Sequence, residues 1–112
     1  MVESRSEQLD HVFHALAHPA RRAILRRLAK EELTISELAA PFDMSLEAVS
    51  KHVSVLEKAR LVRRARSGRA HRCTLRPAPL KDAGKVLADL ARLWNERLDA
   101  LEQLLEELEP KE

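Results

Sequence analysis

The chain has 112 residues, 45% of them hydrophobic and 34% charged, with only three aromatic side chains, Phe13, Phe42 and Trp94. That balance excludes a disordered chain and a membrane-embedded one, and the aliphatic core with just two glycines favours helices over a β-sandwich. The single cysteine, Cys73, excludes an intramolecular disulfide framework and an all-cysteine zinc site. The net charge of +2 says little, but its distribution is uneven: residues 51–72 hold eight Lys/Arg against Glu57 alone, whereas residues 95–112 hold seven acids against Arg97 and Lys111. The first stretch suits an anionic partner and the second does not. The start of the chain lacks the apolar stretch of a signal peptide, and no run is long enough to cross a bilayer. The expectation is a cytoplasmic protein with no membrane contact, folded as one domain over residues 1–112.

Leu9, Val12, Phe13 and Leu16 recur at helical spacing and predict a first helix over residues 6–17. Pro19 ends it and opens a second helix over residues 20–29, with Ile24, Leu25 and Leu28 inward and Arg21, Arg22, Arg26, Arg27 and Lys30 outward. Thr34 followed by Glu37 is a capping box, which starts a short third helix on Ile35, Leu38 and Ala39. Pro41 to Met44 reads as a tight connection. Ser45 is the N-cap of a fourth helix over residues 46–59, whose inward face is Val49, Val53 and Leu56. Residues 61–75 form a hairpin about the Ser67-Gly68 turn, closed off by Pro77 and Pro79. From Leu80 the remainder, residues 80–109, is one long helix. Leu87, Ala91, Trp94, Leu98, Leu101, Leu105 and Leu108 make a heptad seam, which Leu90, Leu93 and Leu104 widen beyond what one small domain can cover.

The fold class expected is mainly α with a small β-hairpin: a winged helix-turn-helix (helix-turn-helix over 34–60, wing over 61–75), dimeric through its long terminal helix. A helix fits the major groove of duplex DNA, and its N-terminal residues reach base edges there. An arginine-rich hairpin lies along the backbone or enters the minor groove. Five arginines among residues 63–72 exceed what protecting a sheet edge requires. The candidate DNA contacts are Ser45, Leu46, Glu47, Ser50, Lys51 and Ser54 on the fourth helix, and Arg63, Arg64, Arg66, Arg69 and Arg72 on the hairpin, with Ser45 placed to hold a phosphate at the helix N-terminus. The candidate dimer contacts are Leu9, Val12 and Phe13 with Leu87, Trp94, Leu98, Leu101, Leu105 and Leu108.

The run ALAHPARRAILRRL (residues 15–28) resembles the second helix of ArsR-type winged-helix repressors, and residues 35–69 resemble their helix-turn-helix and wing. The pattern V-S-K-H-V-x-V-L over residues 49–56, followed by A-R-L-V over 59–62, is the most specific part. The resemblance covers about two-thirds of the chain. It implies a homodimer built on the first and last helices, a recognition helix in the major groove and repression of a pseudo-palindromic operator, released by an effector. Arg60 stands where the family often has glycine, giving up an easy left-handed helix stop. Many relatives sense metals through a Cys pair near the third helix or His and carboxylates on the last. Here residues 35–40 hold no Cys, and no His follows His71. The chain therefore resembles a branch without those sites, with no cofactor and an unidentified small-molecule effector.

Other readings stand beside this one. His11, His14 and His18 lie at i, i+3 and i+7, a spacing that a continuous helix would gather for zinc or nickel, although Pro19 works against it. That would make a metal-responsive repressor. A helical protein-interaction module with a basic docking hairpin is the alternative from another class. His52 reads as a partly buried structural histidine and Cys73 as a small half-buried residue, while Arg21 and Arg22 are placed either to reach DNA phosphates or to pair with acids such as Asp89. An enzyme is not expected: there is no glycine-rich phosphate loop, no nucleophile–base pair and little chain for a deep pocket.

Overall fold

The computed structural model describes residues 4–109. Helix α1 (Arg5–Leu16) is followed by α2 (Pro19–Leu28), strand β1 (Leu33–Thr34), α3 (Ile35–Ala39), α4 (Leu46–Lys58), β2 (Val62–Ser67), β3 (Ala70–Leu75) and α5 (Ala78–Leu108). The starts of α1, α2, α3 and α4 each carry a side-chain cap. Ser4 Oγ accepts from Glu7 N–H, Ser45 Oγ accepts from Ala48 N–H, and Thr34 and Glu37 exchange both bonds of the capping box. The Thr34 backbone N–H on the Glu37 carboxylate holds that group below its ordinary range. His18 caps α2 through Nδ1, which accepts from Ala20 N–H, with Pro19 in the first turn.

Val12, Ala15, Ile24, Leu38, Val49, Val53, Leu56, Leu61 and Cys73 are fully enclosed and join the three short helices, α4 and the sheet in one core. Helix α4 ends in a left-handed turn. Arg60 N–H donates to Glu57 O, and Leu61 N–H to Leu56 O at 2.9 Å, with the Leu56 and Leu61 side chains buried together. Arg60 holds a φ of 61° where glycine would sit without penalty. The stop expected to be weakened at Arg60 is therefore kept, at a conformational cost of about 1–2 kcal/mol.

The sheet has three antiparallel strands in the order β1-β3-β2, one more than the hairpin expected. Residues Leu33 and Thr34 pair with Cys73 and Arg72 on the free side of β3. The β2–β3 register runs from Val62↔Leu75 to Ser67↔Ala70, leaving Gly68 and Arg69 as a two-residue turn with Gly68 at φ 64°.

Arg21 is a correction to the outward face assigned to α2. It is only 8% exposed, and it donates from Nε to Ala15 O at 2.8 Å and from Nη2 to His14 O at 3.0 Å. Arg22 donates to Leu16 O, and Arg27 to Glu37 O and Leu38 O. Three arginines of α2 thus bond terminal carbonyls of α1 and α3, among which His14 O also accepts the Ala17 N–H at the C-cap of α1.

Helix α5 leaves the rest of the molecule. Ala83 is buried and Leu80 and Val86 are half-buried near the start, but every large apolar residue from Leu87 to Leu108 is exposed. The 31-residue helix is about 46 Å long. It stretches the molecule to 75 Å and gives a radius of gyration of 20.2 Å, against about 13 Å for a compact chain of this length.

Candidate nucleic-acid interface

The N-terminal half of α4 projects Ser45, Leu46, Glu47 and Lys51 into solvent, and Leu46 is 54% exposed. An open cleft of about 330 Å³ separates this half of α4 from the wing, lined among others by Ile35, Leu46, Glu47, Ser50, Arg69 and His71. The α4 N-terminus, where four backbone N–H groups lack helical acceptors, faces the same side as the wing tip. Arg66 and Arg69 are exposed at that tip, Arg66 reaching back to Gly68 O at 3.3 Å.

The five wing arginines do not share one face. Successive residues of a strand point to opposite sides, and the register puts Arg64 beside buried Cys73 on the helix side, while Arg63 and Arg72 occupy the outer side. Arg72 is exposed, 4.0 Å from Glu32. Arg64 is turned onto α4, where it donates to Ser50 Oγ, Ser50 O and Ser54 Oγ, each at 3.0 Å, and lies 3.0 Å from the Glu57 carboxylate. Ser54 Oγ in turn donates to Ser50 O. The Ser54 hydroxyl hydrogen is therefore engaged within the chain, whereas Ser50 keeps its own hydrogen to donate. The sequence suggests Ser50, Ser54 and Arg64 as contacts for DNA; the structure joins them first to one another.

His52 lies on the other side of α4, against the α1–α2 corner. Its Nδ1 accepts from Arg21 Nη1 at 3.3 Å, and its ring centroid is 4.5 Å from that of His18. Burial, then His18 and Arg21, push the His52 pKa below its ordinary 6.5. The unfolded chain consequently takes up a proton there before the folded one does. Its contribution to stability is complete above pH 6.5 and is lost as the pH falls below that value. The urea midpoint should drop more between pH 7.5 and pH 5.5 in the wild type than in His52→Gln. Equal pH dependence of the two would show that His52 does not titrate in this way.

His11, His14 and His18 are not gathered as the metal reading requires. His18 turns away to cap α2, and among the described residues no group of three or more His, Cys, Asp or Glu side chains could hold a metal ion. Cys73 is fully buried rather than half-buried, and burial raises its thiol pKa. Of the proposed dimer contacts, Val12 is a correction, because it is wholly enclosed within its own chain. Leu9 and Phe13 are half-buried. Leu87, Trp94, Leu98, Leu101, Leu105 and Leu108 are open, Trp94 at 63% and Leu108 at 71%. Among the described residues, no helix is long and apolar enough to cross a membrane.

Two helices at a tight connection, a solvent-facing second helix and an arginine-tipped β-hairpin define a winged helix-turn-helix, the architecture of a DNA-binding protein. Comparison with known proteins agrees. A helix-turn-helix domain model matches residues 16–65. The chain is 38% identical over 97 residues to the HTH-type transcriptional regulator Rv2034 of Mycobacterium tuberculosis, covering 87% of this chain and 88% of that one. It is 29% identical over 75 residues to the transcriptional repressor SdpR of Bacillus subtilis, covering 67% and 83%. The crystal structure of the ArsR family transcriptional regulator RHA00566 superposes with a TM-score of 0.76 at 39% identity, covering 84% of this chain and 97% of that one. The chain belongs to the ArsR family of helix-turn-helix transcriptional regulators, DNA-binding proteins that are not enzymes.

Proposed function

We propose that this regulator represses transcription as a homodimer bound to a pseudo-palindromic operator, in response to an effector other than a cysteine-bound metal. The observation that carries the reading is the pairing of two features in one short chain. Lys51, Leu46 and the wing-tip arginines form an open cationic reader, and α5 carries an uncovered leucine seam. Charge favours an antiparallel pairing of two such helices. Residues 95–109 carry six acids against Arg97, whereas residues 78–94 carry Lys81, Lys85 and Arg92 against Asp82 and Asp89. A parallel pair would set acid against acid. The buried, lone Cys73 favours an effector that is neither a thiol-bound metal nor a mild oxidant, and the use of His18 to cap α2 weighs against a site of three histidines.

Ser50 and Lys51 read bases, and Arg66 and Arg69 hold the backbone. Lys51→Ala should cost about 1–3 kcal/mol on the operator and relax one position per half-site. Arg69→Ala should weaken all duplexes alike and flatten the salt dependence by about one unit for each phosphate it neutralises. Anisotropy titrations at several salt concentrations separate the two, and micromolar zinc should leave the wild-type curve unmoved. An equal loss on every duplex for Lys51→Ala would move Lys51 among the residues that hold the backbone. Zinc-dependent release abolished by His14→Ala would favour the metal-responsive reading.

A further inference from the structure

We propose that Arg64 is a positioning residue that fixes the wing against the recognition helix and touches no DNA itself. This rests on the DNA-binding reading above and sharpens how that site is built. Arg64 leaves β2 on the helix side, and its side chain is 14% exposed, whereas Arg63, Arg66, Arg69 and Arg72 are all exposed. Ser50, Ser54 and Glu57 stand at i, i+4 and i+7 on α4, one stripe about 10 Å long. The guanidinium lies along that stripe and contacts all three residues, two of them through Nη2, which donates to Ser50 O and Ser54 Oγ. Its charge already faces the Glu57 carboxylate, so a phosphate would have to displace a partner 3.0 Å away.

Position explains why such a tie is useful. The base of the hairpin is held by buried Val62 and Cys73, but residues 65–72 are exposed throughout. A two-stranded ribbon is marginal by itself. Arg64 stands between the buried base and the exposed tip, and sets the angle at which Arg66 and Arg69 meet the duplex relative to Lys51. It also shapes what the helix can read. Ser50 Oγ accepts from Arg64 and is left as a donor, which suits purine N7, guanine O6 or thymine O4. A lysine cannot span these acceptors, because its ammonium is a point charge rather than a planar fork.

The test uses the full chain and a duplex that the wild type selects from a random library. Anisotropy across a salt series is compared for wild type, Arg64→Ala, Arg64→Lys, Ser54→Ala, the Arg64→Ala/Ser54→Ala double variant and Arg66→Ala, with hydrogen exchange of the free proteins alongside. Arg64→Ala should weaken binding by roughly tenfold with the salt slope unchanged, whereas Arg66→Ala lowers the slope by about one unit. Arg64→Lys should not restore affinity. Ser54→Ala should give a smaller loss, and add nothing on top of Arg64→Ala. In the free protein, Arg64→Ala should speed exchange across residues 65–72 and leave α1 and α2 as they were. A slope lower by about one unit with wing exchange unchanged would make Arg64 a phosphate contact and overturn the proposal. Unchanged affinity, or strictly additive losses for Arg64 and Ser54, would also overturn it. If the wild type enriches no duplex, the DNA reading falls and this proposal with it; wing exchange then reports separately whether Arg64 holds the hairpin.

Discussion

Replacing Leu98 and Leu101 with glutamate should abolish the proposed dimer, leaving a folded monomer without tight operator binding. Both side chains lie on α5 beyond the point where it leaves its own core, and both are exposed in the single chain. Nothing within the subunit depends on them, so the variant keeps its core and its helix-turn-helix. In the dimer each leucine would withdraw from water, worth about 1.5–3 kcal/mol per side chain. Two glutamates per subunit would instead add four buried carboxylates to a helix end already rich in acids. The DNA consequence is larger than the assembly change alone suggests. Two linked recognition helices bind two half-sites with an effective concentration that a monomer forfeits, typically about 10²–10⁴ in affinity. Sedimentation velocity of the double variant checks the first part and operator titration the second. An unchanged dimer would place the interface elsewhere.

Arg21→Ala should be the most damaging single polar substitution, costing about 3 kcal/mol of stability. The guanidinium is buried, and it is held by two carbonyls at the end of α1 and by His52 on α4. Truncation removes the guanidinium from Ala15 O, leaves His14 O with the Ala17 N–H alone, and loosens the joint between the α1–α2 corner and α4. Arg26, exposed on the same helix, is the control, and Arg26→Ala should stay within about 0.5 kcal/mol of wild type. Urea unfolding of the two variants decides. A loss below about 1 kcal/mol for Arg21→Ala would mean that water replaces the guanidinium at little cost.

The α5 leucines and Arg21 mark the two sides of what the chain alone discloses. Thr34 with Glu37, Ser45, Pro19 and Gly68 act on the backbone within a few residues, so the helix starts and the hairpin turn are legible in the sequence. The seam on α5 is legible because its period is local, and its exposure follows from there being too little chain to cover it. Arg21 escapes such a reading because polarity alone assigns a charged residue to the surface, whereas its partners lie on α1 and α4. Strand β1 has two residues and no pattern of its own; it exists because β3 has a free edge beside Leu33. Val12 and Leu9 share one helical stripe, and only the packing of the neighbouring helices α2, α4 and α5 against α1 separates the enclosed residue from the half-buried one. Among the candidate DNA contacts, the alternation of β2 already divides Arg63 from Arg64, but the meeting of Arg64 with Ser50, Ser54 and Glu57 joins two elements and needs the fold.

The proposed pairing of a cationic reader with a two-fold assembly can be tested in both parts at once, by selection of duplexes from a random library with this 112-residue chain. The expected result is enrichment of an inverted repeat whose half-sites are centred about one helical turn, roughly 10–10.5 base pairs, or a multiple of it apart. Enrichment of single, unrepeated sites, or none at salt concentrations where basic proteins still hold DNA, would contradict it.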